Sequence, residues 1–212
     1  IQFVRYVHLL SELGAHVILE TPEQLLDLFK HMDDDVKLVG PGEKTPSFDY
    51  HVSLLDVPRL VNTSLHSIPS YPCYLKSQPD IVKKIESCLH FPDQFRLGIV
   101  WAGSPQHQYD KNRSIDATLF KPLVEIPGVC VYSLQLGRCG EAARIFGKKI
   151  IDAAPYLHNF SDTAAIITKL DLVVTVDTAV AHISGALGCP TRTLLPLVPD
   201  WRWLLKRKDT PW

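Results

Sequence analysis

No stretch of this 212-residue sequence approaches the roughly 20 consecutive apolar residues that a membrane-spanning helix needs, and its opening residues lack the pattern of a signal peptide. The five cysteines (Cys73, Cys88, Cys130, Cys139 and Cys189) are odd in number and include no C-x-x-C pair. That speaks against a disulfide frame and a zinc site, and for reduced thiols in a cytoplasmic setting. Nine histidines contain no H-E-x-x-H or equivalent spacing, so no metal site is expected. An excess of one charge is missing as well. With 22 Lys and Arg scattered against 23 Asp and Glu, the electrostatic footprint of a nucleic-acid binder is absent. The glycine fingerprint of a dinucleotide site, the P-loop and the G-x-S-x-G elbow are absent too, so neither a hydride-transfer cofactor nor any other cofactor is expected.

What is present is an ordinary globular composition, 46% hydrophobic, arranged as helices alternating with short apolar strands. Residues 1–13 have helical period and end at Gly14. Ala15–Glu20 reads as a strand, and Pro22 as the first residue of a helix reaching about Met32. Val36–Val39 is a second strand and Phe48–Leu55 a third, with a turn at Pro58. Pro69, Pro72 and Pro79 break regular structure, which places a boundary there: a domain over 1–75, a linker and linking helix over 76–95, and a second domain over 96–212. The second part repeats the alternation. It has strands at Arg96–Gly103, Val129–Leu134, Ile150–Asp152, Leu172–Val176 and Thr191–Leu195, and helices at 116–124, after the Gly137–Gly140 turn, and through Lys169 from a cap at Ser161-Asp162. A final helix opens at Pro199. The expectation is a doubly wound parallel sheet in the second part and a related partial unit in the first, cut at both ends of the chain.

The most informative segment is Leu172–Gly188. Its first five residues are β-branched and apolar, as in a strand covered on both faces, and the period then changes to 3.6 with no intervening loop. Gly188 followed by Pro190 ends the helix. Asp177 and Thr178 therefore stand where a strand's carboxyl end meets a helix's amino end, the place where open α/β sheets bind ligands. Thr178 and His182, four residues apart, share a helical face. A histidine satisfied within the core is the alternative for His182.

Other candidates lie at strand ends. The long polar loop Gly103–Ser114 carries Ser104, Lys111 and Arg113, which suit an anion, although a solvated loop would look the same. Ser133 and Gln135 flank an inward Leu134. Asp162 and Thr163 are read first as a helix cap. Trp201-Arg202-Trp203 is either packing or a stacking wall.

Val174–Gly188 resembles the Asp-Thr-Gly-x-x-His segment of the heptosyltransferase-like glycosyltransferases (family nine). The wider pattern is similar to bacterial glycosyltransferase domains fused to tetratricopeptide repeats: Gln2–Tyr6, Phe48–His51, Val100–Gly103, Asn112–Ser114, Ser133–Gln135 and Pro199–Leu204. The resemblance implies a GT-B-like fold of two Rossmann-type doubly wound domains, truncated at both ends. It also implies inverting, metal-independent transfer of a sugar from a nucleotide-sugar donor. The sequence does not reveal the acceptor, for which a cell-surface glycan or a protein is one candidate. On this reading the donor is bound by Ser104, Lys111, Arg113, Ser133, Gln135, Asp177, Thr178, Ala179 and His182. Ala179 stands where the family has glycine. The family's Gly-Asp turn, with its general base, is expected upstream of Ile1, so no residue here is assigned as the base. A non-catalytic nucleotide-sugar-binding module and a GT-B-fold sugar-nucleotide epimerase are the other readings.

Overall fold

The computed structural model describes residues 1–32, 35–137 and 140–212. Arg138 and Cys139, within the turn expected between Gly137 and Gly140, lie outside the described residues.

The first part opens with a 3-10 turn, Gln2–Val4, that runs into α1 (Arg5–Glu12). β1 (Ile18–Glu20), α2 (Glu23–Phe29) and β2 (Lys37–Val39) follow, with β1 and β2 paired in parallel as a two-stranded sheet. Pro22 is the residue before α2 rather than its first. The third expected strand, Phe48–Leu55, does not form. Phe48, Tyr50, Val52 and Leu55 are exposed, and the run has no ladder partner among the described residues. Apolar residues make a strand only where an edge and a covering layer receive them. Next, the short helix α3 (Val57–Leu60) takes Pro58 into its first turn. α4 (Pro79–Cys88) supplies the helix expected in the connecting segment, and its Lys169–Glu86 ion pair ties it to a second-part residue.

The second part contains the larger sheet. β3 (Phe95–Val100) is followed by α5 (Asp110–Arg113), a single turn inside the long polar loop. The helix expected over 116–124 is a 3-10 turn, Ala117–Phe120, that continues into α6 (Lys121–Val124), with the Asp116 carboxylate capping the Thr118 N–H. Then come β4 (Val129–Ser133), α7 (Glu141–Phe146), β5 (Ile150–Asp152), α8 (Phe160–Ile167), β6 (Leu172–Val176), α9 (Ala179–Ala186) and β7 (Thr191–Leu194). α8 is capped one step earlier than Ser161-Asp162. Asn159 accepts from the Asp162 N–H while the Asp162 carboxylate takes the Asn159 N–H, a reciprocal box. The helix expected from Pro199 is only a 3-10 turn, Trp201–Trp203, stopped where Leu204 takes a φ of 60°.

All five strands of the larger sheet are parallel, in the order β5-β4-β3-β6-β7. The order reverses between β3 and β6, so the chain is an α/β fold with a doubly wound parallel sheet. Alternation along β3 explains the two cores. Leu97 and Ile99 pack on one face with Trp101, Phe120, Val131 and Phe146. Val100 looks to the other face, where one apolar cluster takes in Tyr132, Ile166 and Ile183 together with Val7, Leu28 and Phe29 from the first part.

α9 is fixed at its carboxyl end by backbone. The Cys189 N–H bonds the Ser184 carbonyl at 3.0 Å and the Gly188 N–H that of Gly185 at 3.1 Å, a left-handed glycine stop with φ 73°. The N–H groups of Tyr74 and Leu75 both bond the Ala186 carbonyl, at 3.0 and 3.1 Å. A β-carbon on Gly188 would come within 2.6 Å of the Pro72 carbonyl. Gly188→Ala combines that clash with the left-handed penalty of about 1–2 kcal/mol. Its urea midpoint is expected to fall by at least that equivalent with an unchanged slope, and an unchanged midpoint would show that the 72–75 segment does not press on α9.

Candidate functional site

Because strand order reverses between β3 and β6, the loop after β3 and the junction after β6 open on the same edge of the sheet. Thr178 is extended (φ −138°, ψ 175°) and directly precedes α9. Its hydroxyl does not cap the helix but lies 3.2 Å from that of Thr175, whose own hydroxyl bonds the Val176 carbonyl at 2.8 Å. Among the described residues no side chain caps the first turn of α9, and apart from the Ala181 N–H, which bonds the Thr178 carbonyl at 3.1 Å, its first N–H groups are open to an anion.

The polar loop is held against this junction by a chain of side-chain bonds. The Gly103 N–H donates to the Ser114 hydroxyl (3.0 Å), and that hydroxyl donates to Asp110 (3.0 Å). Asp110 accepts from Arg113 Nε (3.1 Å), and the Arg113 guanidinium reaches the Asp177 carbonyl at 2.8 Å. Asp110 is buried, and the ion pair is largely shielded from water. A β-carbon on Gly103 would collide with Arg113 and Asp110, so this loop needs a glycine there.

The expected site residues fall into three groups. Arg113, Asp177, Thr178 and Ala179 meet at the junction, with Ser104 and Lys111 exposed on the loop beside it. Ser133 and Gln135 are buried beneath. Gln135 accepts from the N–H groups of Trp101 (3.2 Å) and Ala102 (2.9 Å) and donates to the carbonyls of Ala102 (3.0 Å) and Leu136 (3.1 Å). Its amide is saturated by the chain and shapes the end of β3. His182 forms the third group. It lies one turn into α9, stacked on Trp203 with ring centroids 5.4 Å apart and an interplanar angle of 13°. Burial lowers its pKa from 6.5 to about 3, assisted by the positive charges of Arg202 and Arg5 against the carboxylate of Asp200. His182 is therefore a neutral ring near pH 7.

Residues absent from the expected set complete this third group. Arg5 and Gln2 are buried, and both line a cavity with His182, Tyr74 and Trp203. Their signal in the sequence is two polar side chains on the buried face of an otherwise apolar stretch, Gln2–Val7. Asp110 was signalled only by its spacing, three residues before Arg113.

A helix amino end at the strand-order reversal of a doubly wound sheet stands where open α/β sheets form their ligand crevice. Residues 140–195, which include the junction, match the model of glycosyltransferase family 9 (heptosyltransferase). The chain is also similar to Protein FlbA of Caulobacter vibrioides, 23% identical over 155 residues covering 70% of this chain, and it spans 26% of that protein's length. The crystal structure of a glycosyl transferase of family 9 from Veillonella parvula superimposes with a TM-score of 0.44 at 12% identity, covering 91% of this chain and 61% of that one. No helix among the described residues is long and apolar enough to cross a membrane, and no group of His, Cys, Asp and Glu among them could hold a metal ion.

Two measurements test the site's physics. Gln135→Ala leaves two buried N–H groups of the β3 end without acceptors, at about 1–3 kcal/mol each, and should lower the denaturation midpoint accordingly. Equal stability of the variant would remove Gln135 from its positioning role. For His182, the folded value lies below the unfolded one, so the unfolded chain takes up the proton first. Stability from the neutral ring is complete above pH 6.5 and is lost as pH falls toward about 3, by up to about 1.4 kcal/mol per pH unit. Between pH 6.5 and about 4.5, above most carboxylate titration, His182→Gln should flatten the stability curve. Parallel curves would mean that the ring is solvated.

Proposed function

We propose that the chain is part of a heptosyltransferase-like glycosyltransferase, which transfers a sugar from a nucleotide-sugar donor with inversion and without a metal. The observation that carries this reading is coincidence. The family-nine match over residues 140–195 contains Asp177–His182, and this junction lies where the sheet's strand order reverses. In this reading residues 1–75 form the acceptor side and residues 96–212 the donor side.

Transfer breaks the bond between the anomeric carbon and the diphosphate oxygen while the acceptor oxygen bonds the opposite face of that carbon. The leaving diphosphate gains negative charge and needs donors already in place. The open amino end of α9 at Thr178 and Ala179 supplies N–H groups, and exposed Lys111 supplies a mobile cation. Arg113 acts indirectly, since Asp110 balances its charge and the Asp177 carbonyl takes its N–H. It fixes the loop that carries Lys111. The Asp177 side chain, being anionic, faces a donor hydroxyl rather than the diphosphate. No residue of this chain is assigned as the base that takes the acceptor's proton. A tetratricopeptide-repeat context rests on the sequence resemblance alone, and the acceptor, a cell-surface glycan or a protein among the candidates, is not assigned.

Calorimetric titration with UDP, GDP, ADP and CMP tests the donor site. One of them should bind, and Lys111→Ala should weaken it about ten- to a hundredfold, the loss of one charge-assisted contact of about 1.5–3 kcal/mol. Arg113→Ala should weaken binding and also lower thermal stability, because it leaves Asp110 unpaired. Nucleotide affinity that is equal in wild type and Lys111→Ala would contradict this placement of the diphosphate.

A further inference from the structure

The chain enters α4 through residues 73–78, a segment without regular structure. The N–H groups of Tyr74 and Leu75 on the Ala186 carbonyl fasten it to the carboxyl end of α9. α4 packs on α8, and Lys169, just past the end of α8, holds Glu86 of α4. Between this segment, α4 and the carboxyl ends of α8 and α9 lies an open groove of about 480 Å³. That volume is in the range of small-molecule sites, about 300–1,000 Å³.

The floor of the groove is apolar. Leu75, fully buried, lines it together with the half-buried Val82 and Leu187. Its rim carries two cations, Lys76 and Lys83, both exposed and without an ion-pair partner among the described residues. The one carboxylate among the lining residues, Glu86, is already taken by Lys169, so the two lysines stay unbalanced. Ser77 adds a buried hydroxyl that has no hydrogen-bond partner among the described residues. One rotation about its Cα–Cβ bond carries a serine hydroxyl to a new acceptor. No aromatic side chain lines the groove, so nothing there stacks on a base or a sugar ring. An apolar floor rewards a hydrocarbon that would otherwise meet water, and a pair of ammonium groups rewards an anionic head.

We propose that this groove binds an acyl carboxylate, with its chain on Leu75, Val82 and Leu187 and its head held by Lys76, Lys83 and the Ser77 hydroxyl. The eight residues of α9, at about 1.5 Å each, put roughly 12 Å between the groove and Thr178. The groove is therefore a separate site, and it does not rest on the donor reading.

The experiment uses Cys73 as reporter, because it is exposed and lines the groove, and Cys88 as control, because it is exposed and does not. Alkylation of each thiol in the 212-residue chain is followed by peptide mass spectrometry, with hexanoate, octanoate or decanoate added below its micelle-forming concentration. Decanoate should slow alkylation of Cys73 saturably and leave Cys88 unchanged. Half-protection should need about two- to fourfold more acid for each methylene removed, as for a partly to fully buried methylene. Lys76→Gln combined with Lys83→Gln changes two exposed positions, so Tm should stay at the wild-type value while protection weakens about three- to tenfold. Octan-1-ol, with the chain of octanoate and no charge, should protect more weakly by a similar factor. Absence of saturable protection by decanoate, or equal slowing at both thiols, overturns the site. Equal protection by octan-1-ol and octanoate, or protection unchanged in the double variant, overturns the pairing of a carboxylate with the two lysines.

Discussion

The contact on which the rest of the site depends is the bond from the Arg113 guanidinium to the backbone carbonyl of Asp177, at 2.8 Å. β6 passes into α9 with no loop between them, so the amino end of that helix can point only where the strand delivers it. The polar loop after β3 has no such constraint of its own. Arg113 carries the constraint across, and buried Asp110 holds Arg113 in place. The pair need not add much net stability, because taking two charges from water offsets most of their attraction. Its consequence is geometric: removing either partner would leave the other charge uncompensated, so the pair holds the loop to the junction.

α9 is consequently held at both ends. Its amino end faces the sheet edge with its N–H groups uncapped, and its carboxyl end is closed by Gly188 and by the N–H groups of Tyr74 and Leu75 on the Ala186 carbonyl. Between those ends lies His182, neutral because it is buried beside two guanidiniums. One short helix thus separates two positively biased environments, the open crevice at Thr178 and the enclosed cavity at Arg5. The first has the exposed Lys111 beside it and backbone donors. The second has a fixed, buried cation and side-chain donors.

Sequence periodicity located the larger sheet well. Its inner strands β3, β4 and β6 are short and largely apolar, and burial on both faces leaves that signature in the residues themselves, whereas the edge strand β7 carries Thr191, Arg192 and Thr193. It failed at Phe48–Leu55, where apolar side chains occur without a neighbouring edge, and at Pro199–Leu205, where Leu204 turns left-handed after one 3-10 turn. Strand partnership and backbone handedness are tertiary facts, invisible to local spacing. The same holds for the site. The Asp177-Thr178 junction is legible because its two periods meet there. The commitment of Gln135 to the end of β3, and the cavity that Arg5 shares with His182, depend on segments far apart in the chain.

The central claim is that the reversal point between β3 and β6 holds the diphosphate of a nucleotide-sugar donor. Hydrogen exchange read by mass spectrometry, with and without a saturating nucleoside diphosphate, addresses it most directly. The account predicts slowed exchange confined to two segments, 103–114 and 177–182, with the 48–67 region unchanged. Protection elsewhere, with those two segments exchanging as in the free protein, would contradict it.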